Sequence, residues 1–184
     1  MKKLILSQLL ISILFVATSF GQTEKGSFLL GGNGSLSIGT YKSSNFDSHK
    51  IININPNFGY FIKNNLAIGI KTPLYLEGYN SDIFSFSFGI NIFSRYYFAK
   101  TEKTSFFGSA NYGLNNYQHE GSYSSYLNEY SAGIGLGFTY FLTKSIGFET
   151  ELVYDYSKYF DSRFGYDNFS MNFGFQIYFN KQKK

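Results

Sequence analysis

From Ser27 onward the chain repeats with a period of two, apolar at one parity and small or polar at the other. In residues 27–40, Phe28, Leu30, Leu36 and Ile38 face Asn33, Ser35 and Ser37. In 50–62, Ile52, Ile54, Phe58, Tyr60 and Ile62 alternate with Asn53, Asn55, Asn57 and Gly59. The same holds for 66–76, where Leu66, Ile68, Ile70, Leu74 and Leu76 oppose Ala67, Gly69, Lys71 and Tyr75, and for 83–98, where a row of Phe, Ile and Tyr opposes Ser85, Ser87, Gly89, Asn91 and Arg95. Residues 105–117, 126–141, 145–156 and 169–179 continue it, the last setting Phe169, Met171, Phe173, Phe175, Ile177 and Phe179 against Ser170, Asn172, Gly174 and Gln176. Strict alternation is the mark of a β-strand with two unlike faces. Eight strands are predicted, and no stretch between them reads as a helix.

The two faces decide what kind of sheet this is. A soluble sandwich or lipocalin points its apolar face inward and solvates the other with charge. Here the polar face is Ser, Gly, Asn and Thr, with few Lys or Glu. Small polar residues suit a narrow hydrated lumen, and bulky apolar ones suit a lipid-facing exterior. Tilted strands need about 9 to 11 residues to cross a bilayer, and alternating segments separated by turns mark a transmembrane barrel. Closure also removes the unpaired edges that lipid cannot satisfy. The expected fold is therefore an all-β, eight-stranded, antiparallel up-and-down transmembrane β-barrel.

Connections alternate in length as that topology requires. Residues 63–65, 99–104 and 142–144 are short turns, whereas 42–49, 77–82, 118–125 and 157–168 are longer and rich in Ser, Asn, Asp and Tyr. Long loops belong outside and short turns in the periplasm, which puts both termini in the periplasm. Tyr60, Tyr96, Tyr97, Phe98, Tyr140 and Phe141 fall at the periplasmic strand ends, where an aromatic girdle is expected.

Residues 1–21 read differently from the rest. Met1-Lys2-Lys3 is basic, residues 4–16 are almost wholly apolar, and Ser19 and Gly21 are small residues before Gln22. This is the layout of a cleaved secretory signal peptide, too short in its apolar part for a spanning helix. The predicted organisation is signal 1–21, barrel 22–180 and basic tail 181–184. Cleavage removes two lysines and lowers the formal charge from +4 to +2. So small a charge gives nucleic acid no footprint. The absence of cysteine excludes disulfides, thiolate metal sites, cysteine nucleophiles and a lipid anchor at the cleavage point, and two histidines leave little for a metal site.

Candidate chemistry is sparse. His119-Glu120 with Ser122, Ser124 and Ser125, and His49 with Asp47 and Ser48, are clusters of the types used in acyl transfer, but they read as surface-loop residues. The glycines of Gly31-Gly32-x-Gly34 and Gly133-x-Gly135-x-Gly137 lie inside strands with no helix following, which makes them relief for a tight lumen rather than phosphate loops. No catalytic, metal or cofactor site is expected. The lumen is the other candidate. Lys71, Arg95, Glu149 and Glu151 are the chief charges at inward positions away from the loops, at similar distances from their periplasmic turns. Two cations and two carboxylates in a narrow space predict one interior salt-bridge network that fixes the cross-section, since a lone buried charge is costly.

The strand-turn-strand at 58–69, the Arg95-Tyr96-Tyr97-Phe98 strand end and the last strand together resemble the small eight-stranded outer-membrane barrels of the OmpX, OmpW and OmpA-barrel type. The resemblance is closest to outer membrane protein β-barrel domain proteins of Bacteroidetes type. It implies that Asn172, Gly174, Ile177 and Phe179 form a signal read by the barrel-assembly machinery, although five residues follow Phe179. It also implies an outer-membrane location, lipid as the surrounding partner, a monomer, and long loops facing an unidentified surface ligand. The expected function is a non-enzymatic barrel for envelope structure or surface interaction. A narrow OmpW-like passage for a small hydrophobic compound is the alternative, and a lipid- or peptide-acting enzyme is a third.

Overall fold

A computed structural model describes residues 23–41, 47–79, 83–119 and 127–179. The predicted signal and tail lie outside these residues, as do Glu120, Ser122, Ser124 and Ser125. Nine extended segments follow in order: β1 (Phe28–Tyr41), β2 (Asp47–Lys63), β3 (Leu66–Lys71), β4 (Leu74–Tyr79), β5 (Ile83–Lys100), β6 (Thr104–His119), β7 (Leu127–Phe141), β8 (Ile146–Tyr159) and β9 (Gly165–Phe179). Segments β3 and β4 are one barrel strand. Asn57↔Lys71 and Ile54↔Leu74 keep a single register against β2, and Lys71↔Asn91 and Leu74↔Phe88 keep one against β5. The break falls at Thr72-Pro73, where proline has no N–H to give the ladder. The ladder still continues on both sides: Thr72 N–H donates to the Pro56 carbonyl of β2, and the Pro73 carbonyl accepts from Gly89 N–H of β5, each at 2.9 Å.

Each strand pairs antiparallel with its neighbours, and β1 returns to β9 from Phe28↔Phe179 to Gly34↔Phe173, which closes the sheet. The result is an eight-stranded antiparallel β-barrel, as the alternation predicts, and none of the described residues is helical.

Burial is inverted relative to a water-soluble protein. Ile90, Ile92, Ile134 and Leu136 lie outward, all more than 60 % exposed, while Asn91, Arg95, Glu149 and Glu151 are buried inside. This is the apolar-out, polar-in arrangement of a barrel whose solvent is lipid.

Two expectations change. First, the strands run further than the alternation suggests. Segments 157–159 and 165–168 belong to β8 and β9 rather than to a loop, His49, Asp47 and Ser48 lie on β2, and His119 ends β6. Beyond the bilayer both faces meet water, so the period fades while backbone pairing continues. Second, Tyr60, Tyr96, Phe98 and Tyr140 do lie on the outer face, but Tyr97 and Phe141 are buried in the lumen. Their odd positions share the parity of the inward row, so strand-end placement alone misassigns them. In addition, the segment just after the predicted cleavage point is folded against the barrel base. Gly26 N–H donates to the Phe61 carbonyl and Asn65 N–H to the Thr23 carbonyl, at 2.9 and 2.7 Å, and Lys100 Nζ reaches Thr23 and Asn65. Asn65 holds the tight turn with φ of 69°, a left-handed conformation that asparagine tolerates.

Candidate functional site: the barrel lumen

The inward side chains are arranged in layers. At the base, Leu29, Phe61, Ala67, Phe93, Tyr97, Phe107, Phe141 and Tyr178 form one buried cluster. Ring centroids lie 5.8 Å apart for Phe61–Tyr97, 5.5 Å for Tyr97–Phe107 and 5.3 Å for Phe141–Tyr178. Such contacts add about 0.5–1.5 kcal/mol each beyond area burial. They fill the barrel from wall to wall, as eight strands allow.

On this floor sits an ion pair. Arg95 Nη1 donates to both Glu149 oxygens, at 3.0 and 2.8 Å. Glu149 also accepts from Thr139 Oγ1 at 2.8 Å and from the Tyr178 hydroxyl at 2.9 Å. Because the Tyr178 proton goes to the carboxylate, the Tyr97 hydroxyl, 3.0 Å away, donates to Tyr178. The Arg95 guanidinium lies 4.1 Å from the Phe107 ring centre, which adds a cation–π contact. A carboxylate taking four hydrogen bonds from three donor groups, beside a cation stacked on a ring, meets the condition under which a buried pair is tolerated.

Glu151 forms the next level. It accepts from Ser109 Oγ and from Asn33 Nδ2, the latter at 3.0 Å, and stands 3.9 Å from Arg95 Nη2. Arg95, Glu149 and Glu151 therefore meet. Lys71 lines the same lumen but stands apart, making no hydrogen bond or ion pair to another described residue. Its position opposite Asn91, four residues along β5 from Arg95, explains the separation.

Two lumenal carboxylates escape the four-residue reading. Asp155 accepts from Asn111 Nδ2 at 3.3 Å, and buried Glu129 accepts from Asn115 Nδ2 at 3.0 Å and from the Tyr166 hydroxyl. Both have inward parity, and that was the available signal. Two cations against four carboxylates give these six groups a formal charge of −2. Above the ion pair these groups surround a cavity of about 550 Å³ that extends toward the loop end and is rich in asparagine.

Inward glycines make this crowding possible. A Cβ at Gly133 would meet Asp155 and Asn111, one at Gly135 would meet Ser109 and Glu151, and one at Gly137 would meet the Phe107 ring. Gly113 likewise receives Asn91, and Gly89 receives Asn115. Each of these side chains thus lies across a glycine of the neighbouring strand. The glycine runs are sockets.

The remaining candidates fall on the seam and rim. Asn172 and Gly174 face inward opposite Glu151 and Glu149, while Ile177 and Phe179 pair with Leu30 and Phe28 where the barrel closes. Among the described residues, no group of three or more His, Cys, Asp or Glu side chains is placed to hold a metal.

No protein-family model matches the sequence, and no curated protein matches it. Solved structures do match in fold. The chain is similar to Neisserial surface protein A, with a TM-score of 0.64 at 16% identity over 83% of this chain and 97% of that one. It is similar to the outer membrane protein OprG of Pseudomonas aeruginosa (0.56, 11% identity, 87% and 99%). It is also similar to the N-terminal β-barrel domain of OprF from the same organism (0.55, 14% identity, 84% and 98%). The fold is that of the small outer-membrane β-barrels.

Proposed function

We propose that this protein is a non-enzymatic, monomeric barrel of the outer membrane whose interior is closed by its own side chains and whose extracellular loops carry its interactions. The observation that supports this is the two-layer closure: an aromatic floor beneath the Arg95–Glu149 pair leaves the base of the lumen filled. With conduction closed off, function falls to the ends and the wall. Lipid covers the wall. Residues Asn172, Gly174, Ile177 and Phe179 act as the segment that the barrel-assembly machinery reads, because the last strand must pair with β1 to close the barrel. The OmpW-like passage is disfavoured, since an apolar compound would have to cross a lumen carrying six charged groups and a row of amides.

Planar-bilayer recording on purified protein tests the reading. The expected result is no step conductance from the native chain, with conductance gained when Phe61, Tyr97 and Tyr178 are together replaced by glycine. Sustained conductance from the native protein would overturn it. Replacing the four loops by tight turns should leave folding intact and abolish cell-surface binding to envelope or host ligands.

A further inference from the structure

The outer wall of the barrel is not uniformly bulky. Outward residues line up in rows across the strands, and one row reads Tyr60, Ile68, Ser94, Ala110 and Ile134 from β2 to β7. Ser94 and Ala110 are its small members, and the next row toward the loops brings Ile92 beside Tyr112. The result is a groove of about 790 Å³ in the lipid-facing surface, with Ser94 and Ala110 at its bottom and Tyr60, Ile68, Ile92 and Tyr112 as its sides. Nearer the base, Gly108 stands opposite Tyr96, and the space a side chain would fill there meets nothing closer than Leu136 Cδ2 at 3.8 Å. The wall therefore stays shallow from the groove toward the periplasmic end.

The base beneath this sector is basic. Turns at residues 64–65 and 101–103 join the strands that carry the groove, and the segment 23–27 folds against the first of them, Lys25 N–H donating to Asn64 Oδ1 at 2.9 Å. Lys25, Lys63, Lys100 and Lys103 thus stand below the groove, with Glu24 and Glu102 as the carboxylates of the same sector, a formal +2. Lys100 is engaged with Thr23 and Asn65. Lys25, Lys63 and Lys103 are exposed and make no ion pair with another described residue. From Ser94 to Lys100 is six residues, about 20 Å along the strand and about 15 Å in depth at the usual tilt. That depth is one leaflet of the hydrocarbon core.

We infer that this sector of the wall is a binding site for an anionic glycerophospholipid of the periplasmic leaflet. One acyl chain lies in the groove over Ser94 and Ala110, and the phosphate sits among Lys25, Lys63 and Lys103. Under the proposed function lipid is the solvent of the whole wall, and the inference rests on that. What it adds is selectivity for headgroup charge at one place on the circumference. A lysine at the membrane surface strengthens attraction to anionic lipid about fivefold. The groove holds the chain of the lipid whose headgroup those lysines attract.

The test uses the mature chain refolded in phosphatidylcholine vesicles, where the lack of tryptophan allows one to be introduced as a reporter. Tyr112→Trp places it beside the groove, and Leu152→Trp places it on the outer face of β8, away from the groove. Quenching by phosphatidylglycerol brominated in its acyl chains is compared with quenching by equally brominated phosphatidylcholine over the same range of mole fractions. Each variant is first checked for the gel-mobility difference between unboiled and boiled samples. A preference for phosphatidylglycerol of about fivefold or more is expected at 112, with near-equal quenching by the two lipids at 152. Lys63→Gln with Lys103→Gln should remove the preference at 112, and raised salt should weaken it. Ala110→Phe fills the groove, spares the lysines and should remove it as well. Equal quenching by both lipids at 112, the same preference at 152, or a preference that survives either set of substitutions would overturn the inference while leaving the barrel intact. No quenching by either lipid at 112 would overturn the lipid-facing wall along with it.

Discussion

Replacing Arg95 by methionine should be among the most damaging single changes in the lumen. The side chain sits between Glu149 at 2.8 Å, Glu151 at 3.9 Å and the Phe107 ring, with 5% of its side chain exposed. Methionine keeps most of the aliphatic bulk and removes the cation. Glu149 would retain Thr139 and Tyr178 as donors but lose its counter-charge in a nearly dry layer. Breaking a buried pair from one side costs about 3–5 kcal/mol. Glu149→Gln should cost less than Arg95→Met, because Arg95 keeps Glu151 within reach whereas Glu149 has no second cation beside it. The double variant removes the orphaned Glu149 charge, leaves Glu151 to its Ser109 and Asn33 donors, and should cost about as much as one single change. The coupling energy is then about 3 kcal/mol. Reversible urea unfolding in phospholipid vesicles measures it, followed by the unboiled-to-boiled gel shift because the chain has no tryptophan. Additive single changes, or a larger penalty for Glu149→Gln, would refute the pairing as the source of stability.

Three further outcomes follow from the wall and the sockets. Ile90→Arg places a charge in lipid and should cost about 2–4 kcal/mol, far more than Asn91→Arg one residue away in the cavity wall. Equal penalties in the same urea assay would remove the inside–outside distinction. Gly113→Val should displace Asn91 and cost about 1–3 kcal/mol as overpacking, and Asn91→Ala in the same chain should recover part of that loss. Lys100→Ala should loosen the segment at residues 23–27 and speed its proteolysis without moving the urea midpoint by more than about 1 kcal/mol, because the contact lies at the exposed base.

The barrel was legible because lipid makes both faces of every strand informative. Eight runs of period two, long and short connections in turn, and a polar face of mostly small residues with few charges define strand number, closure and orientation. Even the Pro73 break leaves the parity of 66–76 unchanged. Parity also places Arg95 with Glu149 and Glu151. What it cannot deliver is neighbourhood across the lumen. Lys71 shares the inward row yet stands clear of the Arg95 pair, because turn-to-residue counts ignore the stagger between strands. Glu129 is harder to place because it sits where alternation fades near the loop end. The aromatic floor was hidden for a different reason. Phe61, Phe93, Tyr97, Phe107, Phe141 and Tyr178 lie among outward aromatics of the same types, so only strict odd–even bookkeeping to the strand ends separates floor from girdle.

The central claim is that odd positions of β5 face the lumen and even positions face lipid. The chain has no cysteine, so a single cysteine introduced at Ile90 or at Asn91 carries one nitroxide label at a defined place. Collision with dissolved oxygen, which concentrates in lipid, and with a water-soluble nickel complex is then measured by electron paramagnetic resonance on protein in phospholipid vesicles. The account predicts high oxygen and low nickel collision at 90, and low collision with both reagents plus an immobilised spectrum at 91. Nickel access at 90 equal to that of a free label in water, or oxygen access at 91 matching 90, would contradict it.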